Sequence, residues 1–78
     1  MIWMQKDSRT RWVRLSEAPV DGESVHAWFY ERDRLQNQYS LRASYILDNY
    51  TKTNLTLKEM LAKQRRFAAI GTEGKAND

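Results

Sequence analysis

The stretch from residue 21 to residue 50 most constrains how this chain can fold. Its apolar and aromatic side chains recur mostly at steps of three or four residues: Val25, Trp28, Phe29, Leu35, Tyr39, Ala43, Ile46, Leu47 and Tyr50. Such spacing is typical of an amphipathic helix, whereas a half-buried strand alternates every second residue. Asp21 is a suitable N-cap because its carboxylate can accept from the free amides of a first turn. The pattern therefore predicts one long helix over residues 21–50.

A continuous helix of this length would exceed a compact body. At ~1.5 Å per residue it would extend roughly 45 Å, whereas a compact chain of 78 residues is about 30 Å across. Neither Gly nor Pro stands near residues 38–40 to force a bend. We therefore expect a continuous rod. A break near Ser40, giving a helix-turn-helix arrangement, is the alternative, although the usual glycine-containing turn is missing.

The segments on either side of the rod are expected to cover it. Residues 1–15 predict a β-hairpin, because residues 7–10 carry the turn formers Asp7 and Ser8 between two apolar runs. Alternation within the hairpin leaves Trp3 and Trp12 on its outer face, away from the rod.

Residues 55–70 predict a second helix. Thr56 and Glu59 have the spacing of a capping box, and Gly71 suits a helix end. The resulting fold class is α+β, an N-terminal β-hairpin packed on a two-helix antiparallel hairpin with one long helix. Residues 1–70 are expected to form a single small domain, and residues 71–78 a flexible C-terminal tail.

The absence of cysteine from the sequence excludes disulfides and thiolate metal sites, which fits a reducing compartment. The N-terminus lacks the apolar run of a signal peptide, and no stretch is apolar enough to span a bilayer. We therefore expect a soluble, cytoplasmic protein.

Charge is distributed unevenly along the chain. The formal net charge is +3, and residues 1–15 and 56–70 each carry +3 while residues 16–25 carry −3. Basic ends around an acidic connection suit an acidic partner, but they form a sparse patch for a dedicated nucleic-acid binder. A small transcriptional or replication regulator that binds nucleic acid is the alternative function. Its contacts would be Arg9, Arg11, Arg14, Lys63, Arg65 and Arg66.

The sequence offers no arrangement that suggests catalysis. His26 is the only histidine, and it lacks other strong ligands for a metal. Glu31 and Asp33 are two residues apart, so on a helix they would not converge on one cleft. Nucleophile, phosphate-loop and dinucleotide motifs are absent. We expect neither an enzyme nor a bound metal or cofactor.

A second stripe on the predicted rod indicates a contact surface. Tyr30, Leu41 and Tyr45 would lie opposite the core stripe, with Arg34 among them. Tyr, Trp and Arg often dominate interface energy. The predicted partner-binding residues are Tyr30, Arg34, Leu41, Tyr45, Trp3, Trp12 and Arg14. The sequence therefore predicts a small non-catalytic protein-binding module, an accessory, inhibitory or regulatory protein that occupies a partner surface. The partner is another protein or, as an alternative, a second copy of the chain in a homodimer.

Overall fold

The computed structural model describes the backbone of residues 1–77 and the side chains of residues 1–67. Its elements in chain order are β1 (Ile2–Gln5), β2 (Arg11–Leu15), β3 (Ser24–Glu31), β4 (Arg34–Arg42), α1 (Ala43–Asn49), β5 (Tyr50–Lys52) and α2 (Leu57–Asn77). Within the described residues, the strands form one antiparallel sheet in the order β4-β3-β2-β1-β5. The predicted fold class is wrong, since a sheet replaces the hairpin of helices.

The region predicted as a long helix contains β3, β4 and the short helix α1. Val25, Ala27 and Phe29 lie on one side of β3, and residues 26, 28 and 30 lie on the other, as period-two geometry requires. Because β3 carries large side chains on both faces of the sheet, the spacing of its apolar residues resembles that of a helix. β3 and β4 are joined by Arg32 and Asp33, and Arg32 adopts a positive φ of 56°, as tight hairpin loops require.

The two faces of the sheet carry separate cores. On the face covered by α1, hereafter the α1 face, a buried cluster joins sheet residues to the helix: Val13, Leu15, Val25, Ala27, Ala43, Ile46 and Tyr50. On the opposite face, hereafter the α2 face, Ile2 and Trp12 pack against Met60 of α2. Each face therefore carries one helix over a buried cluster, and residues 21–50 form no long rod.

The predicted N-terminal hairpin is present, but its packing was assigned incorrectly. Ile2 pairs with Arg14 and Met4 with Trp12. Directly paired residues share a face, so Ile2 and Met4 lie beside Trp12 and not beside Val13. Trp12, expected on the outside, is only 1% exposed. Its indole Nε1 donates to the carbonyl oxygen of Arg32 at 2.6 Å, which ties the hairpin to the β3–β4 turn.

The start of the second helix is confirmed. The Glu59 amide donates to the Thr56 hydroxyl at 3.1 Å, and the Thr56 amide donates to the Glu59 carboxylate at 2.9 Å, so the capping box forms. The helix α2 continues to Asn77, so it does not end before Gly71 as predicted. The flexibility of residues 71–78 stays a prediction.

Candidate functional site

Helix α2 covers only part of the α2 face. It packs over Ile2 and Trp12, and its buried Gln64 donates from Nε2 to the carbonyl oxygen of Arg9 at 2.9 Å. α2 therefore follows β1 and β2 towards the β1–β2 turn. The part of the face that lies over the other ends of β2, β3 and β4 stays open to solvent.

Six side chains form this open area, which we call the Trp28 patch. They come from three neighbouring strands whose register pairs Arg14 with Trp28, Trp28 with Gln38, and His26 with Ser40. Three are half-buried and three on β4 are exposed. The members of the patch are Arg14, His26, Trp28, Gln38, Ser40 and Arg42.

The centre of the patch is a stack of a cation on an aromatic ring. The guanidinium carbon of Arg14 lies 3.9 Å from the centroid of the Trp28 ring, well within the range of a cation–π contact. The Nε atom of Arg14 is buried and has no hydrogen-bond partner among the described residues. The stack fixes the orientation of the guanidinium and leaves donor capacity unused.

His26 holds the outer part of the patch together. Its ring lies edge-on to Trp28, with centroids 4.6 Å apart. Its Nε2 lies 2.9 Å from the side-chain oxygen of Gln38, and its Nδ1 lies 3.4 Å from the hydroxyl of Ser40. A neutral imidazole that carries its proton on Nε2 satisfies both contacts, since Nε2 then donates to Gln38 and Nδ1 accepts from Ser40. These contacts link two exposed side chains of β4 to β3.

The charges in and around the patch are segregated. None of its six members is acidic, and among the described residues neither Arg14 nor Arg42 forms a salt bridge. The acidic connection, residues 16–23, begins at the same end of the sheet, where the Ser16 amide donates to the carbonyl oxygen of His26 at 3.2 Å. The surface therefore has a cationic aromatic area next to an acidic loop.

The predicted partner-binding residues do not form one surface. Tyr30 stacks on buried Trp12 at 4.0 Å under α2, whereas Trp3 and Leu41 pack on the α1 face. Tyr45 is exposed on α1, and Arg34 is exposed at the start of β4. Only Arg14 belongs to the Trp28 patch.

Five members of the patch were missed because their strands were interpreted as a helix. The sequence does contain a strand pattern, because polar and less polar residues alternate within residues 24–28 and 38–42. The polar members are Ser24, His26, Gln38, Ser40 and Arg42. That pattern predicts a surface only once β3 and β4 are recognised as paired strands.

The predicted nucleic-acid contacts lie mostly at the opposite end of the sheet. Arg11 pairs with Glu31 at 3.2 Å, and Arg65 pairs with Asp33 at 3.5 Å. Near the β1–β2 turn, a cavity of about 320 Å³ is lined by Met4, Ser8, Arg9, Lys63 and Phe67. Arg66 is exposed on α2. The structure thus separates these cations from Arg14 and neutralises two of them.

Two ionisable groups outside the patch have shifted pKa values. Burial raises the pKa of the Tyr50 hydroxyl, and the nearby Tyr45 and Tyr39 act in the same direction. Hydrogen bonds from the Thr56 amide and hydroxyl lower the pKa of Glu59. Both shifts follow from folding contacts, a core position and a helix cap.

Three further findings concern the whole described chain. Its residues contain no group of three His, Asp or Glu side chains placed to hold a metal ion. Neither α1 nor α2, over the part searched, has the length and apolar content needed to cross a bilayer. In comparisons with protein-family models, curated proteins and solved structures, no match was found for this chain.

Proposed function

We propose that this chain is a small non-catalytic protein-binding module that docks the Trp28 patch onto an acidic surface of a partner protein. The observation that carries the proposal is the stack of Arg14 on Trp28 in the open part of the α2 face. Trp and Arg are among the residue types that most often dominate interface energy. Here they lie together, half-buried and beside exposed polar side chains.

The geometry lowers the entropic cost of binding. An arginine side chain loses rotamer freedom when it is immobilised at an interface. Arg14 is already held against the Trp28 ring, and His26 already engages Gln38 and Ser40. A carboxylate of the partner would therefore meet a guanidinium whose planar donor fork is oriented in advance.

The charge distribution supports a protein partner. Arg14 and Arg42 attract a carboxylate, while Glu17, Asp21 and Glu23 on the neighbouring connection repel a long polyanion. A folded partner can carry acidic groups opposite the patch and basic groups opposite the connection. Such complementarity favours one orientation of docking. The accessory, inhibitory or regulatory role and the cytoplasmic location belong to the same proposal, the location because the chain has no cysteine.

The test begins with capture of the partner from the native host, followed by calorimetric titration of the purified pair. We expect Arg14→Ala and Trp28→Ala each to weaken the affinity about tenfold or more, equivalent to about 1.4 kcal/mol. The matched control is Arg11→Ala, which removes an arginine from the same strand but from the other face, where it pairs with Glu31. Equal affinities for wild type, Arg14→Ala and Trp28→Ala would refute the proposed function.

Nucleic-acid binding is the second candidate, and one observation favours it. The patch combines Arg14 and Arg42 with Gln38, Ser40 and an aromatic ring, side chains able to contact phosphates and base edges, and it has no carboxylate. Salt dependence separates the two candidates. Binding to duplex DNA should weaken with a slope of about −0.9 in log–log salt plots per phosphate contact, whereas docking through one or two ion pairs should weaken only slightly.

A further inference from the structure

We infer that the free edge of β4 pairs with β4 of a second copy of this chain, in an antiparallel and two-fold symmetric arrangement. β4 is a nine-residue edge strand with eight exposed residues. Exposed edges are usually protected by Lys or Pro, by short length, by a β-bulge, or by a covering element. The other edge, β5, is three residues long and ends at Lys52. β4 has no Lys or Pro, and residues 35–41 are uncharged. Its one register irregularity lies before Asn37, so residues 37–42 form a regular edge.

The hydrogen bonds inside the chain identify which β4 backbone groups are free. The Ala43 amide donates to the carbonyl oxygen of Glu23 at 2.8 Å. This bond continues the register that pairs Leu41 with Val25 and Tyr39 with Ala27. Between residues 37 and 41, the odd-numbered β4 residues therefore direct their amides and carbonyls to β3. Because the direction alternates along an antiparallel strand, Gln38 and Ser40 direct theirs to the open edge. Arg42 directs its amide there, while its carbonyl belongs to the first turn of α1.

These free groups restrict a symmetric β4 pair to a few registers. The register shift between Phe29 and Tyr30 leaves Gln36 without a partner on β3, so the regular part of β4 is residues 37–42. If Gln38 lies opposite itself, only residues 37–39 of each copy pair within this part. The next register places Tyr39 opposite itself, Gln38 opposite Ser40 and Asn37 opposite Leu41. A further shift, with Ser40 opposite itself, places Gln38 opposite Arg42, the N-cap of α1, whose carbonyl oxygen already accepts within that helix. The register centred on Tyr39 is therefore the one that stays within the regular part of β4 and pairs only residues whose outward groups are free.

The side chains fit this register on both faces. Tyr39 is 47% exposed and stacks on Phe29 with ring centroids 4.8 Å apart. Pairing through Tyr39 would extend this stack into a row of four rings on the α1 face and bury both tyrosines. Aromatic cross-strand pairs stabilise sheets. On the α2 face, Gln38 and Ser40 of the two copies can hydrogen-bond, and the two Trp28 patches become neighbours.

Cysteine cross-linking tests the register directly, because the chain has no cysteine of its own. At a site without direct hydrogen bonds, opposite Cα atoms lie about 4.5 Å apart, which a disulfide can bridge. Under mild oxidation, Tyr39→Cys should form a covalent dimer. Asn37→Cys, on the same face, should not, because it lies about 13 Å along the strand from its own copy. A mixture of Asn37→Cys and Leu41→Cys should cross-link, although neither does so alone.

A proline pair tests the edge without any cross-link. Ser40→Pro removes an outward amide that makes no bond within the sheet, so the chain should stay folded. Leu41→Pro removes an inward amide and should lower the melting temperature. In sedimentation over a wide concentration range, the wild-type chain should shift towards dimer, and folded Ser40→Pro should remain monomeric.

Two outcomes would overturn the inference. One is a wild-type chain that stays monomeric at every concentration while Tyr39→Cys cross-links no faster than Asn37→Cys. The other is capture by the β4 edge of an extended strand of a different protein, lost in Ser40→Pro but kept in Ser40→Ala. Ser40→Ala is the matched control because Ser40 also belongs to the Trp28 patch, and this variant removes the hydroxyl that contacts His26 while it keeps the outward amide. The patch itself is tested independently through Arg14→Ala.

Discussion

Two neighbouring cross-strand pairs on the α2 face have the same geometry and opposite environments. Trp12 pairs with Tyr30, and Arg14 pairs with Trp28, two residues further along the same strands. Both pairs stack closely, with Tyr30 4.0 Å from Trp12 and the Arg14 guanidinium 3.9 Å from Trp28. Trp12 lies under α2 and is buried, whereas Arg14 and Trp28 lie beyond the helix and are half-exposed.

The comparison shows that strand pairing alone does not decide whether a stack is core or surface. Under α2, both members of the pair are aromatic, and the indole N–H of Trp12 donates to the carbonyl oxygen of Arg32. Where α2 is absent, one member is a cation that keeps contact with solvent. The aromatic pair lies where α2 covers the sheet, and the pair that contains a cation lies where it does not. The uncovered pair is therefore accessible to a partner.

The largest expected effect is on the covered pair. Trp12→Ala should lower the free energy of unfolding by about 3–5 kcal/mol, because it empties a core position between the sheet and α2. Chemical denaturation followed by circular dichroism measures this change. A loss below about 1 kcal/mol would show that α2 does not close this half of the face.

The open pair should respond differently to the same truncation. Trp28→Ala should cost only about 1–2 kcal/mol of stability, since the ring is half-buried and has no helix above it. The same denaturation experiment gives the value. If Trp28→Ala destabilised the fold as much as Trp12→Ala, the Trp28 patch would be core and the comparison would fail.

Weakening the N-cap of α2 should change the surroundings of Trp12 and Tyr30 but not those of Arg14 and Trp28. Thr56→Ala removes the hydroxyl that accepts from the Glu59 amide and should cost about 1 kcal/mol. Hydrogen exchange at residues 57–61 should quicken, while the environment of Trp28, followed by NMR, should not change. Thr53→Ala is not a suitable control because its hydroxyl donates to the Ile2 carbonyl oxygen; Thr51→Ala, on β5, is preferable.

The smallest effect concerns pH. Hydrogen bonds from Thr56 hold the pKa of Glu59 below its ordinary value of 4.5. The folded state therefore binds this proton less readily than the unfolded chain. The stabilisation that Glu59 adds to the fold is present above pH 4.5 and is lost as the pH falls through the folded-state pKa. Thermal melts of wild type and Glu59→Gln as a function of pH should converge in acid. A constant separation at all pH values would contradict this assignment.

Local signals in the sequence predicted local structure correctly. The turn formers near Asp7 and Ser8 predicted the β1–β2 hairpin, and Thr56 with Glu59 predicted the start of α2. Both features involve residues close in sequence, so their side chains hydrogen-bond to the neighbouring backbone and set its conformation. The interpretation of residues 21–50 failed because aromatic residues on both faces of β3 obscured the alternation between Val25 and Ala27.

A turn and a helix cap can be predicted from the sequence alone, because short-range chemistry decides the backbone there. That residues 24–31 and 34–42 are strands depends on tertiary contacts, because a strand is stabilised by partners distant in the chain and not by its own spacing. The register of β2 on β3 brings Arg14 onto Trp28, and the end of coverage by α2 leaves that stack open. The candidate site is therefore a product of strand pairing, since its members meet only when β2, β3 and β4 lie side by side.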